Sequence, residues 1–231
     1  MSWSFTESFP LFGYDLADYD ILFEEKLELF VRLLEETPVT WSGTTRAPLV
    51  DADVYPKTDS GRLTTWVGVG GTPQSVIRTA RHGLALMLAI IGGPPGRFAS
   101  YIELYRRATE QFGTAAYPVG MHSPGFVADT DEEARELHWP RYKVIRDRIG
   151  ALRGWPPVHR SEYEAEIEHG SLYVGAPETV ARKIASAVQE LGVGRFDMIY
   201  TVGSQPADAR IRNVELYASK VIPMVRDILA R

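Results

Sequence analysis

The sequence predicts an α/β fold built on a parallel sheet. From residue 65 onward, short apolar runs of strand length alternate with longer amphipathic runs of helix length, the pattern of successive strand and helix units. Four such units can be counted, with strands near residues 66–70, 85–91, 118–128 and 196–202. Of the 231 residues, 45% are hydrophobic, which suffices for one full core, so we expect a single domain over residues 1–231.

Two elements precede the alternating region. Residues 18–36 place apolar side chains at helical spacing between Glu and Lys residues, which predicts an amphipathic helix. Two short extended runs, PVTWSGTT and APLVDADVYP, then flank a polar turn and are bounded by proline. This pattern predicts a small surface hairpin inserted ahead of the parallel sheet.

Each predicted strand of the parallel sheet is followed by a helix. The expected helices cover residues 73–82, 97–112, 130–152 and 207–229, with an extra helix at 177–191. The segment GWPPVHRSEYEAEIEHG, before the extra helix, is predicted to be a surface excursion. A closed eight-stranded barrel takes roughly 200 to 250 residues, so the length allows one, but the sequence supports only four strands.

Composition excludes several classes of partner and chemistry. The net charge is -5 and the pI about 5.6, so the chain has no basic field for nucleic acid or for an anionic membrane surface. It contains no cysteine, which excludes disulfides and thiol catalysis and fits a reducing compartment. The first residues lack the basic start and apolar run of a signal peptide. We therefore expect a cytoplasmic protein that binds neither nucleic acid nor membrane.

The turn VGVGGTPQS, between the first strand and its helix, is the main candidate for ligand binding. Its sequence is similar to GAPETVARKIA, which begins at Gly175, and both segments place proline at the first helical position. At the second helix Glu178 supplies a carboxylate in the first turn, whereas the first helix has neutral Gln74 at that position. An unfilled helix N-terminus entered through glycines favours a phosphate group.

The glycine turn has other interpretations. A Gly-Gly pair between a strand and a helix is often only a tight bend. The turn lacks the third glycine of the dinucleotide-binding fingerprint, and no acidic residue follows at the expected distance. The sequence also has no Gly-Lys-Ser/Thr motif for a triphosphate-binding loop. The remaining ligand is one that carries a single phosphate, such as a mononucleotide. Gly68 and Gly70 would share one face of the strand with Trp66 and leave room there for a flat ring.

Candidate catalytic side chains are few. The five histidines show no metal-binding spacing, so we expect no metal site, and most of them are expected at the surface. His122 lies within the third predicted strand, where its side chain could face a cavity and take part in catalysis. A hydrogen-bonded core histidine is the alternative. Ser123 has no evident base or acid partner, so hydrolase chemistry has no support.

Several stretches resemble the luciferase-like flavin-dependent monooxygenases. They are WVGVGGTPQSVIRTARHGLALMLAIIGG, FVADTDEEAREL, LYVGAPETVARKIA and ELYASKVIPMVRDIL, and they occur in the family's order. The opening, SFTESFPLFGYDLADYDILFEEKLELF, is similar to the segment after the family's fourth barrel strand. The resemblance covers nearly the whole chain and implies a barrel of the triosephosphate isomerase type.

The resemblance also implies a cofactor and its position. Family members use reduced FMN or a deazaflavin, many with molecular oxygen, and hold the flavin phosphate at the helix after the fifth strand. Carried over to this sequence, the phosphate donors are the backbone N–H groups of Gly71 and Thr72 and the Ser75 hydroxyl, with Gly70 beside them. Bacterial luciferase has an acidic residue followed by serine where this chain has Gly71 and Thr72, which leaves backbone donation intact.

The end of the second strand completes the expected pocket. The apolar run LAIIGG leads into the loop GGPPG, which could close over a ring. We expect Ile90, Ile91, Gly92 and Gly93 to line the pocket, with core packing as the alternative for both isoleucines.

If the resemblance holds, the chain corresponds to the C-terminal portion of the family and lacks about the first four strands. The expected fold is then a partial barrel, and the expected function is that of a flavin-dependent oxidoreductase acting on an unknown small organic substrate. The alternative is a non-catalytic half-barrel that binds or assembles with a partner chain. Unpaired strand edges favour association, and we expect a homo-oligomer, specifically a dimer.

Overall fold

Helices and strands alternate through most of the computed structural model, which describes residues 8–61 and 63–231. The helices are α1 (Ser8–Leu11), α2 (Tyr19–Leu33), α3 (Pro73–Arg81), α4 (Ala99–Phe112), α5 (Asp131–Arg153), α6 (Arg160–Glu168), α7 (Pro177–Leu191), α8 (Ala207–Leu216) and α9 (Ile222–Leu229). The strands are β1 (Val39–Trp41), β2 (Leu49–Ala52), β3 (Trp66–Val69), β4 (Ala85–Ala89), β5 (Gly120–Val127), β6 (Tyr173–Gly175) and β7 (Arg195–Ile199). In this part of the chain, no helix is long and apolar enough to cross a membrane.

The strands form two sheets. β1 and β2 pair as an antiparallel hairpin, which confirms the predicted insertion. β3, β4, β5, β6 and β7 form a five-stranded parallel sheet in which β5 is the longest strand and pairs with β4, β6 and β7. Across the described residues the sheet does not close on itself, so the predicted partial β/α barrel is confirmed.

The predicted number of strands in this sheet was one too low. β6 covers only Tyr173–Gly175, and all three residues are buried. Three residues are too short to show the alternation that identifies a strand, and the segment runs directly into the helix start at Pro177. The four predicted strands are present with shorter or shifted ends.

The segment expected as a surface excursion contains α6, and this prediction was wrong. Tyr163 and Ile167 of α6 are buried in a second core cluster with Phe126 at the end of β5. His138 of α5 is 2% exposed and contributes to the same region, where its Nδ1 lies 3.1 Å from the Tyr163 hydroxyl. His138 is therefore an exception to the expectation that most of the histidines lie at the surface.

The two faces of the parallel sheet have different environments. Alternate residues such as Val69, Leu88 and Met121 join one core cluster with residues of α3, α4 and α7. We call the opposite face, which side chains reach at the intervening positions, the open face. Its residues are Trp66, Gly68, Met87, Ala89, Gly120, His122, Pro124, Arg195, Asp197 and Ile199.

Candidate functional site

The turn between β3 and α3 places an uncapped helix start beside the open face. Gly70 and Gly71 are exposed, and Thr72 occupies the N-cap position with φ of -122° and ψ of 126°. The Thr72 and Ser75 hydroxyl oxygens lie 2.6 Å apart, and no side chain caps the backbone of the first turn. The first turn also contains no acidic residue. Its dipole and N–H groups are therefore available to an anion.

The start of α7, which is similar in sequence, is capped by a carboxylate. Asp131 accepts hydrogen bonds from the Ala176 N–H at 2.6 Å and from the Thr179 hydroxyl at 3.0 Å. Glu178, which the sequence suggested for this role, pairs instead with Arg182 one turn later. The contrast between the two helix starts therefore holds, but its cause is a tertiary contact from the start of α5.

Three glycines adjoin the open face without a structural reason for being glycine. Gly68, Gly71 and Gly92 do not have a φ in the left-handed region, and a Cβ added at any of them would meet no atom within 4 Å. Many glycines elsewhere have a positive φ, as at Gly113, or a neighbour close to the position of an added Cβ, as at Gly120. The space above these three positions is left free by the protein itself.

The pairing of the strands brings four charged, aromatic or titratable side chains together on the open face: His122, Asp197, Arg195 and Trp66. His122 lies beside Ala89 of β4 and Asp197 of β7, and the row before it contains Gly68, Met87, Gly120 and Arg195. The Arg195 Nε donates to both carboxylate oxygens of Asp197, at 2.9 and 3.0 Å. The Arg195 guanidinium also lies 5.3 Å from the centre of the Trp66 ring.

His122 therefore projects from the open face, away from the helix-facing core. Burial lowers the pKa of its imidazole below 6.5, and the negative charge of Asp197 opposes this effect. The side chain is half-buried, so a ligand on the open face could reach it. This position suits a group that exchanges a proton with that ligand.

The residues expected at the end of the second strand are not all in one place. Ile90 is 0% exposed and packs in the core cluster on the helix side of the sheet, which corresponds to the packing alternative. Ile91 is 66% exposed, and Gly92 is exposed beside it. The Gly93 N–H donates to both carboxylate oxygens of Glu166, at 3.0 and 3.2 Å. Ile91 and Gly92 are thus the accessible members of this group.

Glu166 is a residue that the sequence did not point to. Besides the Gly93 N–H, its carboxylate accepts the Ser171 N–H at 3.0 Å, and so it ties the loop after β4 to the end of α6. The segment containing α6 had been predicted as an excursion, and Gly93 is distant in sequence. No local signal could have identified this contact.

Replacing Glu166 with alanine is expected to loosen the loop after β4. The variant removes the charged acceptor of the Gly93 N–H, an interaction worth about 1.5 to 3 kcal/mol, so amide hydrogen exchange at Gly93 should accelerate by about 10 to 100 times. Exchange measured by NMR tests this, with Glu168→Ala at an exposed position of the same helix as the control. Equal exchange rates at Gly93 in the two variants would contradict the assigned role.

Two further features lie close by but do not join the site. Arg78, one turn into α3, directs its Nε to the Glu24 carboxylate at 2.6 Å, so its charge is used to bind α2. A cavity of about 460 Å³ lies between α1 and α2, lined mainly by aromatic and aliphatic side chains such as Phe12 and Phe23.

Among the described residues, no group of three His, Asp or Glu side chains is arranged to hold a metal ion.

Comparison with solved structures supports the fold. The chain is 22% identical to monooxygenase RslO1 from Streptomyces bottropensis, with a TM-score of 0.78, over 96% of this chain and 66% of RslO1. For the oxygenating constituent of 3,6-diketocamphane monooxygenase from Pseudomonas putida, in complex with FMN, the identity is 16% and the TM-score 0.64, over 97% and 70% of the two chains. For the coenzyme F420 dependent tetrahydromethanopterin reductase from Methanopyrus kandleri these values are 17% and 0.60, over 85% and 60%.

These likenesses establish the fold, and the chain spans from 60% to 70% of the length of the three proteins. No curated protein matches the chain in sequence. The sequence profile of the luciferase-like monooxygenases, in contrast, matches residues 2–195, which include the glycine turn, the open-face strands β3 to β5 and the first residue of β7. The chain therefore belongs to the luciferase-like monooxygenase family.

Proposed function

We propose that the chain is a flavin-dependent oxidoreductase that holds the phosphate of reduced FMN, or of a deazaflavin, at the start of α3. The observation that carries this proposal is the free space above Gly68, Gly71 and Gly92. Gly71 adjoins an uncapped helix N-terminus, and Gly68 lies on the open face. An elongated ligand with an anionic end and a flat ring would fit both parts.

The residues present fit such a ligand. The N–H groups of Gly71 and Thr72 would donate to the phosphate, and the Ser75 hydroxyl, now paired with Thr72, could turn toward it. Gly70 allows the close approach of the phosphate to the backbone, and Gly68 leaves room for the ring. When bound, a reduced flavin supplies the electrons of the reaction.

The chain itself would contribute three functions around the ring. Exposed apolar side chains, Ile91 and Ile199, would exclude water from its edges. The Gly93 loop, held by Glu166, would fix one wall of the pocket. His122 would exchange a proton with the substrate or the ring, because its half-buried imidazole lies on the open face and burial lowers its pKa.

The nature of the cofactor and the use of oxygen form the finer part of the proposal. Proteins of this fold include one in complex with FMN and one dependent on coenzyme F420. Family membership favours a monooxygenase reaction in which oxygen is transferred to a small organic substrate.

An anaerobic titration with photoreduced FMN, and separately with reduced F420, tests the proposal. We expect saturable quenching or enhancement of cofactor fluorescence with one of the two, at one cofactor per chain, and faster or slower reoxidation of the bound form when oxygen is admitted. Absence of saturable binding to either cofactor would contradict a catalytic role for this chain.

Assembly with a second copy is a separate candidate property. Within the described residues, β3 is an edge strand that pairs only with β4, and the open face includes the exposed apolar side chain of Ile199. Such edges favour association. Light scattering should then give a mass near twice 25.8 kDa, and a monomer at all concentrations would contradict the expected dimer.

A further inference from the structure

A stacked group of side chains covers Gly120 on the open face and leaves His122 at its border. Gly120 must be glycine because a Cβ there would lie 2.9 Å from the Trp66 ring and 2.8 Å from the Met87 methyl group. Trp66 therefore extends across the face toward β5, and Arg195 lies over its ring from the opposite side. His122 belongs to the next row toward the carboxyl ends of the strands. That row is level with the glycine turn.

Arg195 is fixed at two points. Its guanidinium lies against the Trp66 ring, and its Nε donates to the Asp197 carboxylate. The contact with the ring and the two hydrogen bonds from Nε together keep the carboxylate next to the guanidinium. Asp197 is thereby held on the open face directly beside His122 in the register of β5 and β7.

We propose that Asp197, held by Arg195, is a positioning residue that orients the His122 imidazole toward a ligand on the open face. This inference rests on the proposed function. The protonated imidazole donates one proton to a basic oxygen or nitrogen atom of that ligand and becomes neutral, and solvent returns the proton. The negative charge of Asp197 stabilises the charged imidazole, as the aspartate of a Ser-His-Asp triad does for its histidine.

The charged surroundings of His122 are simple. Its neighbour on β4 is Ala89, which carries no charge, and its neighbours on β7 are Asp197 and the Arg195 that pairs with it. The charge of Asp197 also acts on Tyr217 of the C-terminal helical region, where burial and, to a smaller extent, this charge raise the pKa of the hydroxyl to about 12. Among these neighbours, Asp197 is the negative charge that acts on His122, and the positive charge of Arg195 is paired with that carboxylate.

NMR titration of isotope-labelled histidines in the flavin-free full chain tests the inference. Asp197→Asn should lower the titration midpoint of His122 and change its tautomer ratio, whereas Arg195→Gln should raise the midpoint by leaving the carboxylate uncompensated. His122→Gln identifies the resonance, and Asp227→Asn, at an exposed position of α9, is the matched control.

An unchanged or raised midpoint in Asp197→Asn, or an unchanged midpoint in Arg195→Gln, overturns the inference. Either variant alone suffices if the other does not fold. Because the measurement uses no cofactor, its result is independent of flavin binding. A failure of the proposed function would appear instead in the anaerobic titration, while the midpoint shifts would persist.

Discussion

Gly71→Val is expected to weaken FMN binding by about 100 times, equivalent to about 2.7 kcal/mol, while leaving the fold intact. The valine side chain would occupy the space through which a phosphate reaches the helix N-terminus, and the charge-assisted hydrogen bonds there would be lost. Gly71 is exposed, has no left-handed φ and has no atom within 4 Å of a Cβ, so the free energy of unfolding should change by less than about 0.5 kcal/mol. Fluorescence titration and urea unfolding measure the two effects.

Two matched variants sharpen this test. Gly71→Ala should weaken binding less than Gly71→Val, because its side chain fills less of the space. Ala116→Val adds bulk to an exposed connection before β5, at the amino end of the sheet, and should leave FMN affinity unchanged. Equal affinities of the wild type and Gly71→Val would show that the glycine turn is only a tight bend.

Acidification is expected to destabilise the protein through His138. Burial lowers the pKa of His138 from 6.5 to about 4, so the folded state keeps this imidazole neutral while the unfolded state takes up a proton. Stability that is fully present above pH 6.5 is therefore lost as the pH falls toward 4. Linkage gives a loss of about 2 kcal/mol between pH 7.5 and pH 5 from this residue alone.

Urea unfolding at the two pH values, in the wild type and in His138→Phe, measures this contribution. The phenylalanine ring keeps the stacking among Phe126, Tyr142 and Tyr163 but cannot titrate, so the variant should lose about 2 kcal/mol less than the wild type on acidification. His169→Gln is the control, because 82% of the His169 side chain is in solvent in the folded state. The same pH dependence in wild type and His138→Phe would contradict the assignment.

The parts of the fold that the sequence predicted are those with strong local periodicity. β3, β4, β5 and β7 and the helices between them follow from alternating apolar runs and from Pro73 and Pro177 at helix starts. β6 was missed because its three residues carry no detectable period. α6 was missed because its buried side chains, Tyr163 and Ile167, are separated by charged residues that resemble a solvated segment.

The residues of the candidate site also divide into those with a local sequence signal and those without one. The glycine turn and His122 were identified in the sequence because turn chemistry and strand placement are local signals. Asp131, Glu166 and Asp197 were not, because each acts on a residue from a distant part of the chain. The placement of Ile90 in the helix-facing core depends on strand register, which decides which face each side chain occupies.

The position of the flavin phosphate on the protein can be found by NMR. We would record backbone amide NMR spectra of the labelled chain during titration with FMN and, in parallel, with riboflavin, which lacks the phosphate. We expect the amides of Gly70, Gly71, Thr72 and Gln74 to shift most with FMN and much less with riboflavin. Equal shifts with both ligands, or shifts confined to the cavity between α1 and α2, would contradict a phosphate site at the start of α3.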